Sequence, residues 1–327
     1  MPALLRLPVG IAAVVFSALL FTNGLEWFGH RLRLGHAALG SVFAAMGTAL
    51  PEASIAFLAA VMPAAHGGGD AVSVGAVLGA PLLLATLGFA VLGLGAYRAR
   101  RPTLMVNRRA MARDLGIYLL AFGAAVAAGV LGLSGTARAV LAIALVVGYA
   151  AYAVVTIGGG EPGSGPTDAP APLWCAGRSA SPPWWAITGQ LCLAVGLMLV
   201  GAELFVHVLT GLADSLALSG FVLAVVLAPL ATELPETVNS VVWIGQNKDQ
   251  LAVGNVTGAM VLQGAVVPAV GLAFTPWHFD TVEMIAAVVA LAGAMVPLVG
   301  VVAARRLPGW LLLCPAALYI AFVVWVL

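Results

Sequence analysis

The chain has 327 residues, of which 62% are hydrophobic and only 8% charged. A soluble domain carries about 25% charged residues, so the composition excludes a soluble globular protein and marks an integral membrane protein, with the lipid bilayer as its surroundings; its long apolar runs make it an all-α one. A net charge of +1 gives no basis for binding nucleic acid.

Crossing ~30 Å of hydrocarbon takes about 20 apolar residues per helix. Ten segments meet that measure: 8–30, 37–63, 71–97, 115–133, 136–157, 185–209, 215–245, 251–275, 281–303 and 308–326. The start, Met1 to Thr22, also has the shape of a secretory signal, with Arg6 ahead of an apolar run. It is read as a retained span because the residues just after it recur in the second half of the chain. Between spans, Tyr97 to Asp114 reads as a loop carrying six arginines: Arg98, Arg100, Arg101, Arg108, Arg109 and Arg113. Gly158 to Pro183 is rich in Gly, Pro, Ser and Ala, the composition of a flexible linker. The expected division is therefore a five-helix repeat at 1–157, a cytoplasmic linker at 158–183 and a second five-helix repeat at 184–327. Cys175, Cys192 and Cys314 lack metal-ligand spacing. Cys192 and Cys314 are expected as small core residues, with no disulfide.

Orientation is set by the excess of Lys and Arg on the cytoplasmic side. With the N-terminus outside, the cytoplasmic connections hold Arg31, Arg33, the six arginines above, Arg178, Lys248, Arg305 and Arg306. Only Arg6 and Arg138 fall outside. Both termini are then exterior, and five spans per half force the second half into the membrane upside-down. The expected location is a plasma or inner membrane.

The halves repeat one another. Asn23-Gly24-Leu25-Glu26-Trp27-Phe28-Gly29-His30 is matched by Val200-Gly201-Ala202-Glu203-Leu204-Phe205-Val206-His207. Gly47-Thr48-Ala49-Leu50-Pro51-Glu52 is matched by Ala231-Thr232-Glu233-Leu234-Pro235-Glu236, and the stretch Val74 to Ala80 by Val253 to Ala259. The second motif lies in an apolar run from Leu216 to Trp243. A charge at mid-bilayer costs about 2.5–3.5 kcal/mol even on the lenient insertion scale, so such residues are usually functional. Pro235 lacks an N–H and pushes away the carbonyl of Ala231, loosening that of Thr232 beside it. Freed carbonyls beside carboxylates suit a hard cation such as Ca²⁺. Inverted repeats with interrupted helices indicate a secondary transporter whose ion site lies near the midplane.

The two motifs resemble the paired α-repeats of the calcium/cation antiporter superfamily, the sodium/calcium exchanger family in particular. Gly75 to Gly79 and Gly254 to Gly258 look like the companion half of each repeat. The resemblance implies antiport by alternating access, with ions transported and no cofactor or oligomer required. It places Ca²⁺ on Glu52 and Glu236, with backbone carbonyls of Thr48 and Thr232. The chain departs from the family pattern at sodium ligands: Ala49 and Glu233 come after the motif threonines, and Ala80, Pro81, Leu84, Ala259, Met260 and Gln263 stand at further ligand positions. Gln263 is expected to reach the ion through its carbonyl.

Glu233 and Glu236 are three apart, so both can approach one site. With Glu52 they make three carboxylates, one more than a divalent ion balances. Glu233 is therefore expected to hold a proton, with H⁺ in place of Na⁺ as counter-ion; alternatively it faces outward and caps another helix. The pairs Glu26/His30 and Glu203/His207 read as end-of-helix contacts or as proton gates. Asn239 and Asn255 are either amides supporting the site or helix-packing bonds. The glycine pairs read as close helix packing. The competing functions are a monovalent cation/proton exchanger, an intramembrane enzyme using Glu52 and Glu236, and a non-transporting ion-binding protein. No Gly-x-Ser-x-Gly or His-Glu-x-x-His motif supports the enzyme.

Overall fold

The computed structural model describes residues 3–49, 70–159, 170–177, 181–215, 222–303 and 307–326. They form α1 (Ala3–Leu32), α2 (His36–Ala38), α3 (Asp70–Leu83), α4 (Phe89–Arg98), α5 (Arg108–Val130) and α6 (Gly135–Gly158) in the first half. The second half contains α7 (Trp184–Ser215), α8 (Ala228–Thr232), α9 (Leu234–Gly245), α10 (Asp249–Phe274), α11 (Thr281–Ala303) and α12 (Gly309–Val326). Among the described residues, eight helices are long and apolar enough to cross a membrane. The expected spans 37–63 and 215–245 are the two that carry the motifs: the first is described only as far as residue 49, and the second is broken at Glu233.

The inverted repeat is visible in backbone detail. A π-helical turn, Leu39–Ala44, comes directly after α2, and another, Leu223–Leu227, precedes α8 at the matched position. Such turns widen a helix and occur often at functional sites. A third, Leu84–Gly88, joins α3 to α4.

The described parts of the connections after odd-numbered spans gather on one face, the basic face, so called for its arginines. Arg31 Nη1 donates to Ser181 Oγ at 3.0 Å. Arg101 pairs with Asp249. β1 (Thr103–Leu104) runs antiparallel to β2 (Leu307–Pro308). On the other side Arg138 Nη1 reaches Pro276 O at 2.8 Å.

Three expectations are corrected. First, the fourth span begins at Arg108, where a loop is expected up to Asp114. Asn107 caps it, its side-chain oxygen accepting from Ala110 N at 3.1 Å, which satisfies a donor the first turn leaves open. Arginines near a helix N-terminus oppose its dipole. Here Arg108 is held by the carbonyls of Val301 and Val302, and Arg113 pairs with Asp114.

Second, part of the supposed flexible linker is built into the fold. Asn23 Nδ2 donates to the carbonyls of Ala171 and Pro172, Trp27 Nε1 donates to Ala171 O at 2.8 Å, and Trp174 N donates to Asn23 Oδ1. Gln190 accepts from Cys175 N and donates to Leu20 O and Asn23 Oδ1. Leu173 is fully buried with Trp27, Ala186 and Ile187. Irregular backbone beside membrane helices needs its polar groups satisfied by protein, and these three side chains do that. Third, Cys192 and Cys314 are exposed, outside the core.

α1 and α7 lie antiparallel and close. A Cβ on Gly201 would meet Gly10 O at 3.1 Å and a Val14 methyl at 2.8 Å. α10 is buried along almost its whole length. Its Gly258 permits contact with the Leu39–Ala44 turn, since a Cβ there would collide with Ser41 O.

Candidate cation site

α8 ends at Thr232, which is buried, and α9 begins at Leu234 with Pro235 in its first turn. Glu233 occupies the joint with φ −86° and ψ −1°. Its N–H reaches Pro229 O at 2.9 Å, and Thr237 N reaches Glu233 O at 3.2 Å, so the ladder continues around the break. The missing N–H of Pro235 withdraws the normal partner of the Ala231 carbonyl.

Glu233, Glu236 and Gln263 are all fully buried. Gln263 Nε2 donates to Glu233 Oε1 at 2.9 Å. Glu233 Oε2 is buried with no hydrogen-bond partner among the described residues. Glu236 is near enough to act on Glu233 electrostatically. Glu233 therefore points inward; the outward-capping alternative does not describe it. Two carboxylates in apolar surroundings repel one another and are held there at high cost unless a cation or proton joins them.

The first motif reaches the same place through Asn255. Thr48 is buried, its hydroxyl donating to Ala44 O at 2.9 Å and lying 3.4 Å from Asn255 Oδ1. Asn255 Nδ2 donates to Glu236 O at 3.2 Å and approaches Ser240 Oγ at 3.4 Å. Asn255 thus touches both motif segments. Asn239 accepts from the Thr22 hydroxyl at 2.9 Å, which ties α1 to α9. Glu52 lies outside the described residues, so two of the three expected carboxylates are described together.

Glu26 does not pair with His30. It accepts from Trp243 Nε1 at 3.1 Å and from Lys248 Nζ, while His30 lies edge-on to Trp27. The side chains of Glu203 and His207 lie outside the described residues.

A second polar cluster was not expected. Asp114 is 1% exposed; its Oδ2 accepts from Ser41 Oγ at 2.8 Å and Thr257 Oγ1 at 3.0 Å, and its Oδ1 accepts from Arg113 Nη2 at 2.8 Å. It joins α5, α10 and the first motif-bearing segment beside a narrow cleft that Asn107 and Gln250 also line. The apolar positions Met111, Leu115, Tyr118 and Phe122 repeat at helical spacing and start before residue 115, a signal that could have moved Asp114 into the helix.

A model of the sodium/calcium exchanger protein family matches residues 3–158 and 186–327. A putative antiporter, CaxA of Alkalimonas amylolytica, is 26% identical over 280 residues, covering 83% of this chain and 81% of that one. Among solved structures, the sodium-calcium exchanger NCX_Mj soaked with Na⁺ and Sr²⁺ superposes with a TM-score of 0.75 at 22% identity, covering 98% of each chain. The same exchanger soaked with Na⁺ and Ca²⁺ gives 0.75 at 22% identity, over 99% of this chain and 98% of that one. At that identity the likeness establishes the fold.

Proposed function

From the premise that this chain belongs to the sodium/calcium exchanger family and is a cation antiporter of that type, we propose that it exchanges Ca²⁺ or a similar divalent cation for H⁺ or Na⁺ by alternating access. The observation that carries the proposal is the meeting of both motif segments at Asn255, next to the buried pair Glu233 and Glu236. Ca²⁺ takes 6–8 oxygen ligands. Glu236, Glu52, the carbonyls of Thr48 and Thr232, and the side-chain oxygens of Glu233 and Gln263 would supply them. Burial excludes water, so each oxygen replaces part of the hydration shell, and the ion's charge offsets the repulsion between carboxylates.

Three carboxylates exceed the charge of one divalent ion by one. A proton on Glu233 restores the balance, with Gln263 donating to its other oxygen. Protons taken up by the other two carboxylates as Ca²⁺ leaves, and displaced when the next Ca²⁺ binds on the opposite side, would make H⁺ the counter-ion. Ala49, Ala80 and Leu84, which replace sodium ligands of the family, favour this over Na⁺ and keep a monovalent cation/proton exchanger as the second reading.

The basic face is assigned to the cytoplasm, which places both termini outside. The boundaries 1–157, 158–183 and 184–327 are retained as two repeats and a connecting segment, part of which is docked on α1 and α7. The test is Ca²⁺ uptake by proteoliposomes under a pH gradient without sodium, then under a sodium gradient at equal pH. Uptake driven by the pH gradient alone is expected. Uptake that needs Na⁺ and ignores the pH gradient contradicts proton exchange. Competition of Ca²⁺ with Mn²⁺, Na⁺ and K⁺ separates the divalent from the monovalent reading.

A further inference from the structure

α1, α7 and the docked segment make one body. Asn23, Trp27 and Gln190 hold residues 171–175 against both helices, and Gly201 brings the two helices into backbone contact. A second body on the basic face carries α9 and α10. Asp249, at the start of α10, accepts from Arg101 Nη1 at 2.9 Å and from Met105 N at 2.9 Å. Arg101 also bonds Ile244 O. Lys248 therefore stands on a turn that is fixed to its surroundings.

Among the described residues, three polar side-chain bonds join α1 to α9 and this turn. Thr22 donates to Asn239 Oδ1, Trp243 Nε1 donates to Glu26 Oε1, and Lys248 Nζ bonds the same Glu26 oxygen. Thr22 and Glu26 are one turn apart on α1, as Asn239 and Trp243 are on α9. The two helices run in the same direction, and the bonds stack in register between Glu236 and the basic face.

We propose that Glu26, gripped by Lys248 and Trp243, is a latch that closes the cation site toward the basic face and opens whenever the site is delivered to that side. This rests on the alternating-access reading. Glu26 is 4% exposed, whereas the Lys248 side chain is 28% exposed. When the bodies part, both charges pass into water, so the pair separates reversibly. Neutralising Glu26 has the opposite effect: in the closed state the partly buried Lys248 ammonium loses its counter-charge and Trp243 Nε1 its acceptor. The closed state then loses stability relative to the open one.

The test uses full-length protein in oriented vesicles, with Cys175, Cys192 and Cys314 changed to Ala and Ser240→Cys as the reporter. Ser240 is buried four residues beyond Glu236, beneath the latch. A membrane-impermeant maleimide is added on the basic face. Glu26→Gln is expected to raise the labelling rate about tenfold, equivalent to about 1.4 kcal/mol in the closed–open equilibrium. The exchange Glu26→Lys with Lys248→Glu is expected to reverse part of that rise, because it restores the ion pair although Trp243 Nε1 loses its acceptor, which general loosening of the fold would not do. An unchanged rate in Glu26→Gln, or a rise that the exchange leaves in place, overturns the latch. As a second arm, a Glu26→Cys, Lys248→Cys pair cross-linked in proteoliposomes is expected to lose cation flux and recover it on reduction. Flux that persists through cross-linking overturns the latch and leaves the antiporter reading intact. A wild-type protein without flux under any gradient removes the antiporter reading itself, while the labelling arm still decides whether Glu26 seals that face.

Discussion

Gln263 Nε2 lies 2.9 Å from Glu233 Oε1, and neither side chain is exposed. The amide is thus the described partner of a carboxylate that the fold has taken out of water. Replacing Gln263 by Leu should leave that carboxylate without its donor, at a cost of about 1–3 kcal/mol. A lowered unfolding temperature in detergent, together with altered proton-driven Ca²⁺ uptake, is the expected outcome. Unchanged uptake would detach Gln263 from the transport site.

Asn255 bridges Thr48 and the Glu236 carbonyl. Asn255→Ala removes the contact between the two motif segments without touching a proposed carboxylate ligand. Ca²⁺ affinity should fall about tenfold, or about 1.4 kcal/mol, as measured by calorimetric titration. An affinity equal to that of the wild type would mean that the segments are aligned by other contacts.

Asp114 receives two hydroxyls and one guanidinium. Asp114→Ala should destabilise the protein by about 3–5 kcal/mol, because it strands partners around an empty buried position. Asp114→Asn, which keeps an acceptor for the hydroxyls, should cost clearly less. Thermal unfolding of the two variants side by side checks the order.

Gly258 packs against the backbone of Ser41. A methyl group there meets a carbonyl oxygen that no side-chain rotation can move. Gly258→Ala should therefore cost at least the ~1–3 kcal/mol typical of overpacking, whereas Gly148→Ala, at a position with open space around it, should be tolerated. Comparing unfolding temperatures of the two variants separates packing from intrinsic helix propensity.

Much of the fold was legible because lipid imposes simple demands. Long apolar runs had to be helices, and the paired Thr48 and Thr232 motifs exposed the repeat. The π-helical turns at Leu39–Ala44 and Leu223–Leu227 were not legible, since a wider turn has no composition of its own. Asp114 was missed because its arginine neighbours read as a loop, while its real partners, Ser41 and Thr257, are far away in sequence. Glu26 was assigned to His30, one turn along the same helix, although Lys248 on a distant turn holds it. The docking of residues 171–176 was hidden by a composition typical of linkers; only Asn23, Trp27 and Gln190 on α1 and α7, polar where lipid was expected, hinted at it.

The most direct test of the cation site is calorimetric titration of purified protein with Ca²⁺, for the wild type and for Glu236→Gln, which keeps the side chain's size and removes its charge. Saturable binding by the wild type and its loss in Glu236→Gln are predicted. Equal Ca²⁺ affinity in both proteins would contradict the assignment of the buried motif glutamate as a ligand.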